Sequence, residues 1–165
     1  VKTTIDNPKA SEISFAKTSD GASWGAVYGQ SLQPIAAVKS ANAGIRVERT
    51  IDTAGKSLRV GDKVKVTITI VADRDYDFVQ LCDKRAACLE PVSQLSGYRN
   101  GYYLAPQDNC TNYFFDRLSK GKHVVETEYF VDRPGSYLSG VCTAECAYSP
   151  EFSGRAEAVQ IVVNE

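Results

Sequence analysis

The sequence predicts an all-β protein built as an antiparallel β-sandwich. Three observations carry that reading. No window of about 11 residues shows convincing helical periodicity, whereas several runs alternate apolar and polar residues with period two. Turn signals rich in Gly, Pro and Asp separate about seven such runs at fairly regular spacing, which is the pattern of an immunoglobulin-like sandwich. The stretch His123–Phe152 holds two alternating runs joined by Arg133-Pro134-Gly135-Ser136. In the first, Val125, Thr127, Tyr129 and Val131 share a face, with Glu126 and Glu128 opposite. In the second, Leu138, Cys142, Ala144, Cys146 and Tyr148 share one. Joined by a Pro-Gly turn, they read as an antiparallel hairpin at the centre of the fold.

Taken in order, residues 1–44 are a lead-in. Ile13 and Phe15 alternate with Ser14 and Ala16, Asp20-Gly21 is a turn signal, and Trp24, Ala26 and Tyr28 alternate again. This predicts a separate N-terminal β-hairpin. Ser31 to Gly44 reads as a linker, which places a boundary there and the main domain at 45–165. Ile45, Val47, Arg49 and Ile51 start a strand, and Asp52 to Lys56 a turn. Val64, Val66, Ile68 and Ile70 form the clearest alternating strand. Phe78 to Leu81 is a shorter one. Asp83 to Asn109 loses its period among Pro91, Gly97, Gly101 and Pro106, and reads as a long irregular loop. Tyr113, Phe114 and Phe115 begin another strand, and Val159, Ile161 and Val163 close the sheet.

A chain of 165 residues is long enough to bury a core without staples. The net charge is -1 and signs are interspersed, so nothing points to nucleic acid or an anionic membrane. No apolar run approaches the ~20 residues of a spanning helix, and direct membrane insertion is not expected. A start at Val1 without a signal pattern leads us to expect a piece of a longer protein. The five cysteines are an odd number. Cys142 and Cys146 lie ~13 Å apart along one strand, too far for a bridge. Cys82 and Cys110 flank polar loops and are the candidate disulfide pair.

No strong catalytic motif is present, so no enzyme activity and no cofactor are expected. His123 is the sole histidine, and nothing in the sequence places it beside a cysteine. Cysteines without C-x-x-C spacing argue against zinc. Asp73, Asp75 and Asp77 recur at every second position, but no EF-hand glycine or closing glutamate follows, so they read as a solvated turn and no metal is expected. The tyrosines around 98–115 are the one candidate recognition loop, with Tyr98, Tyr102 and Tyr103 as its members. Aromatics combine apolar area with a polar tip and stack on sugars or proteins. That leaves a carbohydrate-binding or adhesion module as the alternative function.

Several segments carry a resemblance: W-G-A-V-Y-G-Q (24–30), V-G-D-K-V-K-V (60–66), D-F-V-Q-L-C-D-K-R-A-A-C-L-E-P (77–91), S-G-Y (96–98), T-N-Y-F-F-D (111–116) and C-A-Y-S-P-E-F-S-G-R (146–155). In this order they resemble the C-terminal, macroglobulin-like domain of bacterial alpha-2-macroglobulin-family proteins of Bacteroidetes type, called receptor-binding in animal relatives. The resemblance implies a broad-spectrum protease inhibitor, a protease trap with endopeptidase inhibitor activity, whose bait region lies outside this chain. It implies an extracytoplasmic home in the periplasm or at the cell surface, with a lipoprotein parent. The partners implied are the other domains of the parent chain and, through the parent, host or environmental proteases. Residues 1–44 would be closing strands of a preceding β module. The family's Cys-Gly-Glu-Gln thioester string is absent. Its nearest counterpart, Cys88-Leu89-Glu90-Pro91, has proline where the glutamine must stand, so no thioester is expected here.

Overall fold

A computed structural model describes residues 2–6, 11–52 and 57–165. It separates two units, Val1–Leu32 and Gln33–Glu165. In the first unit, residues 2–6 and 11–32 form neither strand nor helix, and a bend at 19–21 is their only regular feature. Gly21 sits there with φ 87°, so the turn signal is met. The hairpin expected around it is not formed. Two strands alone bury too little apolar surface to offset the entropy of ordering them, and Trp24 is 96% exposed.

Among its described residues, the regular elements of the second unit are all strands apart from a 3₁₀ turn at Ile35–Ala37. Its strands are β1 (Ala41–Ala43), β2 (Ile45–Asp52), β3 (Leu58–Arg59), β4 (Lys63–Ala72), β5 (Tyr76–Lys84), β6 (Leu89–Pro91) and β7 (Gly97–Arg99). They continue as β8 (Tyr102–Pro106), β9 (Cys110–Leu118), β10 (Gly121–Val131), β11 (Gly135–Leu138), β12 (Cys142–Cys146), β13 (Ser153–Ala156) and β14 (Gln160–Asn164). The larger sheet runs β1-β13-β12-β5-β9-β8-β7, the second β2-β4-β10-β6, and a small third β11-β14-β3. Pairing is antiparallel except between β14 and β3 and at the Gly44–Ser153 bridge. Residues 53–56, part of the expected turn after β2, lie outside the described residues.

The second sheet follows the alternation of the sequence. Val64, Val66, Ile68 and Ile70 are buried on one face of β4. Directly across, β10 sets Tyr129, Thr127, Val125 and His123 opposite them. Each fully buried Val or Ile contributes about 1.5–3 kcal/mol. The larger sheet answers with Val79, Leu81, Tyr113, Phe115, Cys142 and Ala144, and the small sheet adds Leu58, Ile161 and Val163 to the same core.

Two expectations change here. The hairpin centred on Arg133–Ser136 does not pair. Both edges of β10 are already taken, by β4 and β6, so after the turn the chain crosses to other sheets. There β11 joins β14, and β12 lies between β13 and β5. The stretch 83–109 is also more ordered than its lost period suggests, because β6, β7 and β8 all fall within it. They are three to five residues long, too short for alternation to stand out.

The sheets are fastened across the core by polar pairs. Thr111 Oγ1 and Tyr129 Oη lie 2.8 Å apart, and Tyr113 Oη and Thr127 Oγ1 2.6 Å. At one end Arg49 on β2 reaches Asp83 on β5 at 2.6 Å, with the two side chains only 2% and 3% exposed. Arg49 Nη2 also donates to Ser139 Oγ (2.7 Å), Gly140 O (2.9 Å) and Glu157 O (2.8 Å). One guanidinium therefore joins both sheets and two loops, which its planar fork of donors suits. Gly154 lets β13 come this close to β2, since any Cβ there would strike the Ile45 carbonyl.

Candidate recognition face

Period two in β8 and β9 decides which tyrosines are available. Tyr102 turns inward and stacks on Tyr113 (5.6 Å between ring centroids) and Phe115 (5.5 Å). Burial pushes its hydroxyl pKa upward. Tyr103 turns outward, and its ring meets Tyr98 edge-on at 5.1 Å. The structure thus brings Tyr98 and Tyr103 together on the outer face and sends Tyr102 to the core side.

Register extends the outward pair into a row. Tyr98 lies opposite Tyr103, Tyr103 opposite Phe114, Phe114 opposite Gln80, and Gln80 opposite Glu145. Phe114 and Tyr98 are exposed. Gln80 Nε2 donates to Asn112 Oδ1 at 3.2 Å, which fixes the amide beside the aromatic end. A row graded from aromatic to amide to carboxylate can hold an extended ligand with an apolar side and hydroxyl or amide groups.

A second exposed aromatic pair has no forewarning in the sequence. Phe78, on β5, takes φ 54°, a left-handed conformation rare for bulky residues. It meets Tyr148 edge-on at 5.3 Å, and Tyr148 is 80% exposed. Ala147 N donates to Phe78 O at 2.8 Å and the Cys146 thiol to Asp77 O at 3.2 Å. These bonds tie the β12–β13 turn to the distorted strand and hold the two rings outward. Nothing in the sequence marks Phe78 as different from an ordinary strand residue.

The remaining candidates are placed as follows. All five cysteines are thiols. Cys142 and Cys88 are buried, and burial raises both pKa values, so they stay protonated. Cys82 and Cys110 lie on adjacent strands. His123 Nε2 is 2.7 Å from Ser119 O. Asp73 accepts from Arg74 and from Tyr76 Oη, and Asp75 from Arg117 and Lys120 N. Those bonds hold both carboxyls below the usual range. Among the described residues no three His, Cys, Asp or Glu side chains converge as a metal site.

The antiparallel sheets packed on a common core define the class, an all-β sandwich module. The family profile of the bacterial alpha-2-macroglobulin MG10 domain matches residues 40–151, and the chain belongs to that family. Among solved structures, it is similar to Salmonella alpha-2-macroglobulin reacted with methylamine, with TM-score 0.69 and 21% identity over 78% of this chain and 10% of that one. Native Escherichia coli alpha-2-macroglobulin gives TM-score 0.69 and 20% identity over 81% and 10%. The N-terminal domain of a Streptococcus gordonii adhesin gives 0.54 and 12% over 73% and 33%. At these identities the likeness is one of fold. The chain spans about a tenth of the two macroglobulins it matches. No curated protein sequence matches.

Proposed function

We propose that the chain is a non-catalytic structural and docking domain of an alpha-2-macroglobulin-like protease trap. The observation that carries this is the MG10 family match over 40–151. The outward-held Phe78–Tyr148 pair agrees with it, because exposed aromatics in a fixed geometry are what a docking domain presents to a neighbour. On this reading the parent is extracytoplasmic and lipoprotein-anchored. The other parent domains are the direct partners and proteases the indirect ones. Residues 1–44 supply closing strands to a preceding β module, which agrees with the described residues 2–6 and 11–32 forming no strand here, although Ala41–Ala43 pairs with β13. The Cys88-Leu89-Glu90-Pro91 string buries Cys88 and forms β6, so the domain makes no covalent bond to prey.

The test is in the full-length parent. Replacing both Phe78 and Tyr148 with serine is expected to reduce retention of an active protease such as trypsin at least several-fold, with the circular dichroism spectrum unchanged. Unchanged retention would sink the docking role. The outward row from Tyr98 to Glu145 favours a second reading, a glycan-binding face. Tyr103→Ala is then expected to abolish binding on a glycan array, whereas a blank array for the unaltered chain removes the reading.

A further inference from the structure

The outer face of the larger sheet also carries two thiols for which the docking reading has no use. In the β5–β9 ladder Cys82 stands opposite Asn112 and Lys84 opposite Cys110. The two cysteines are therefore diagonal neighbours on one face. Asn112 Nδ2 donates to Cys110 Sγ at 3.6 Å, and Cys110 Sγ lies 3.6 Å from Gln107 Oε1. Cys82 is partly open to solvent, while Cys110 is 7% exposed. A reagent arriving from solution therefore meets the more open Cys82 first.

We propose that Cys82 and Cys110 are a reversible dithiol–disulfide pair that staples β5 to β9 when a disulfide-class oxidant is present. The Cys82 thiolate attacks one sulfur of a disulfide RS–SR. A mixed disulfide forms and one RS⁻ leaves. The Cys110 thiolate then attacks the Cys82 sulfur, closes the cross-strand bond and expels the second RS⁻. The two protons lost by the cysteines end on the two RS⁻ groups, so two thiols are oxidised and one external disulfide is reduced.

Reversibility follows from the register. Diagonal neighbours sit ~7–8 Å apart between Cα atoms, beyond the ~4.4–6.8 Å of an unstrained bridge. Closing the bond must draw the start of β9 toward β5. Cys110 is the first residue of β9, beside the turn closed by Gln107 N donating to Cys110 O at 2.8 Å, so the shift is confined to a strand end. It is opposed there by Arg85, whose Nη1 donates to Cys110 O at 2.7 Å. A strained bridge is reduced more readily than a relaxed one. Burial, with the Cys110 thiol beside it, pushes the Cys82 pKa up to about 11. Closure is therefore slow near neutral pH and quickens roughly tenfold per pH unit until that value is approached.

The chain itself is the material for the test. It is incubated natively with excess oxidised glutathione at about pH 8, trapped by alkylation in denaturant, and read by intact mass and peptide mapping. The expected product has lost two hydrogens, links the Cys82 and Cys110 peptides, and carries alkyl groups on Cys88, Cys142 and Cys146. Excess reduced glutathione is expected to return all five alkylatable thiols. Cys82→Ser should leave no bridge, and Cys110→Ser should stop at the Cys82–glutathione adduct. In the unaltered chain, that adduct alone, five free thiols, or a bridge to another cysteine would each overturn the proposal. None of these outcomes bears on the docking role.

Discussion

Two stretches of this chain repeat with period two, Val64 to Ile70 alternating with Lys and Thr and Trp24, Ala26 and Tyr28 with Gly and Val, and they meet opposite fates. Val64 to Ile70 becomes the middle of β4, with β2 on one edge and β10 on the other. Trp24 to Tyr28 forms no strand, and its large side chains are exposed. The difference lies in what surrounds them. A strand has a row of backbone donors and acceptors on each edge and an apolar face beneath, and all three need partners. β4 has them within this chain. Trp24 to Tyr28 is paired with no strand among the described residues. Alternation states that a segment is fit to be a strand, and the available edges decide whether it becomes one.

The sharpest way to break the sandwich side of this comparison is at Arg49. Arg49→Leu leaves the Asp83 carboxylate buried without its partner and releases Ser139, Gly140 O and Glu157 O together. Losing one partner of a buried pair costs about 3–5 kcal/mol. Urea unfolding should show the whole loss as a lower midpoint with an unchanged slope. A loss under about 1 kcal/mol would mean that the Arg49 cluster does not hold the sheets together. Tyr129→Ala tests that packing next. It empties a fully buried site on β10 and leaves the Thr111 hydroxyl with only the longer bond from Arg85 Nη1 (3.3 Å), with an expected loss of about 3–5 kcal/mol. Tyr129→Phe keeps the ring and should cost only about 0.5–1.5 kcal/mol, the loss of the hydroxyl pair with Thr111. Equal losses in the two variants would show that the hydroxyl pair, not the ring volume, carries the site.

The same distinction explains what the sequence disclosed. The strands β2, β4, β10 and β14 were legible because each keeps its period over at least five residues. Which strand pairs with which was not, because Pro134-Gly135 specifies a turn but not whether the edge of β10 beyond it is free. The short strands inside 83–109 were hidden by their length. Once β8 is known, the opposite facing of Tyr102 and Tyr103 follows from period two. The diagonal placement of Cys82 and Cys110 needed the register between β5 and β9, which no local pattern carries. The left-handed Phe78 had no signal at all, since it read as the first residue of an ordinary strand, Phe78 to Leu81.

The mildest expected effect sharpens the comparison from the other side. Trp24 is the largest side chain in the lead-in, yet Trp24→Ser should change the unfolding free energy by no more than about 0.5 kcal/mol, the range for surface positions. Amide exchange in residues 11–32 should run near the unprotected rate, while the amides of β4 and β10 open only with global unfolding. The opposite result would be more instructive. Protected amides in 11–32, together with a Trp24→Ser loss of about 2 kcal/mol or more, would show that the lead-in finds a strand partner within this chain. Its alternation would then serve the sandwich itself, and residues 11–32 would not be free to complete a neighbouring module.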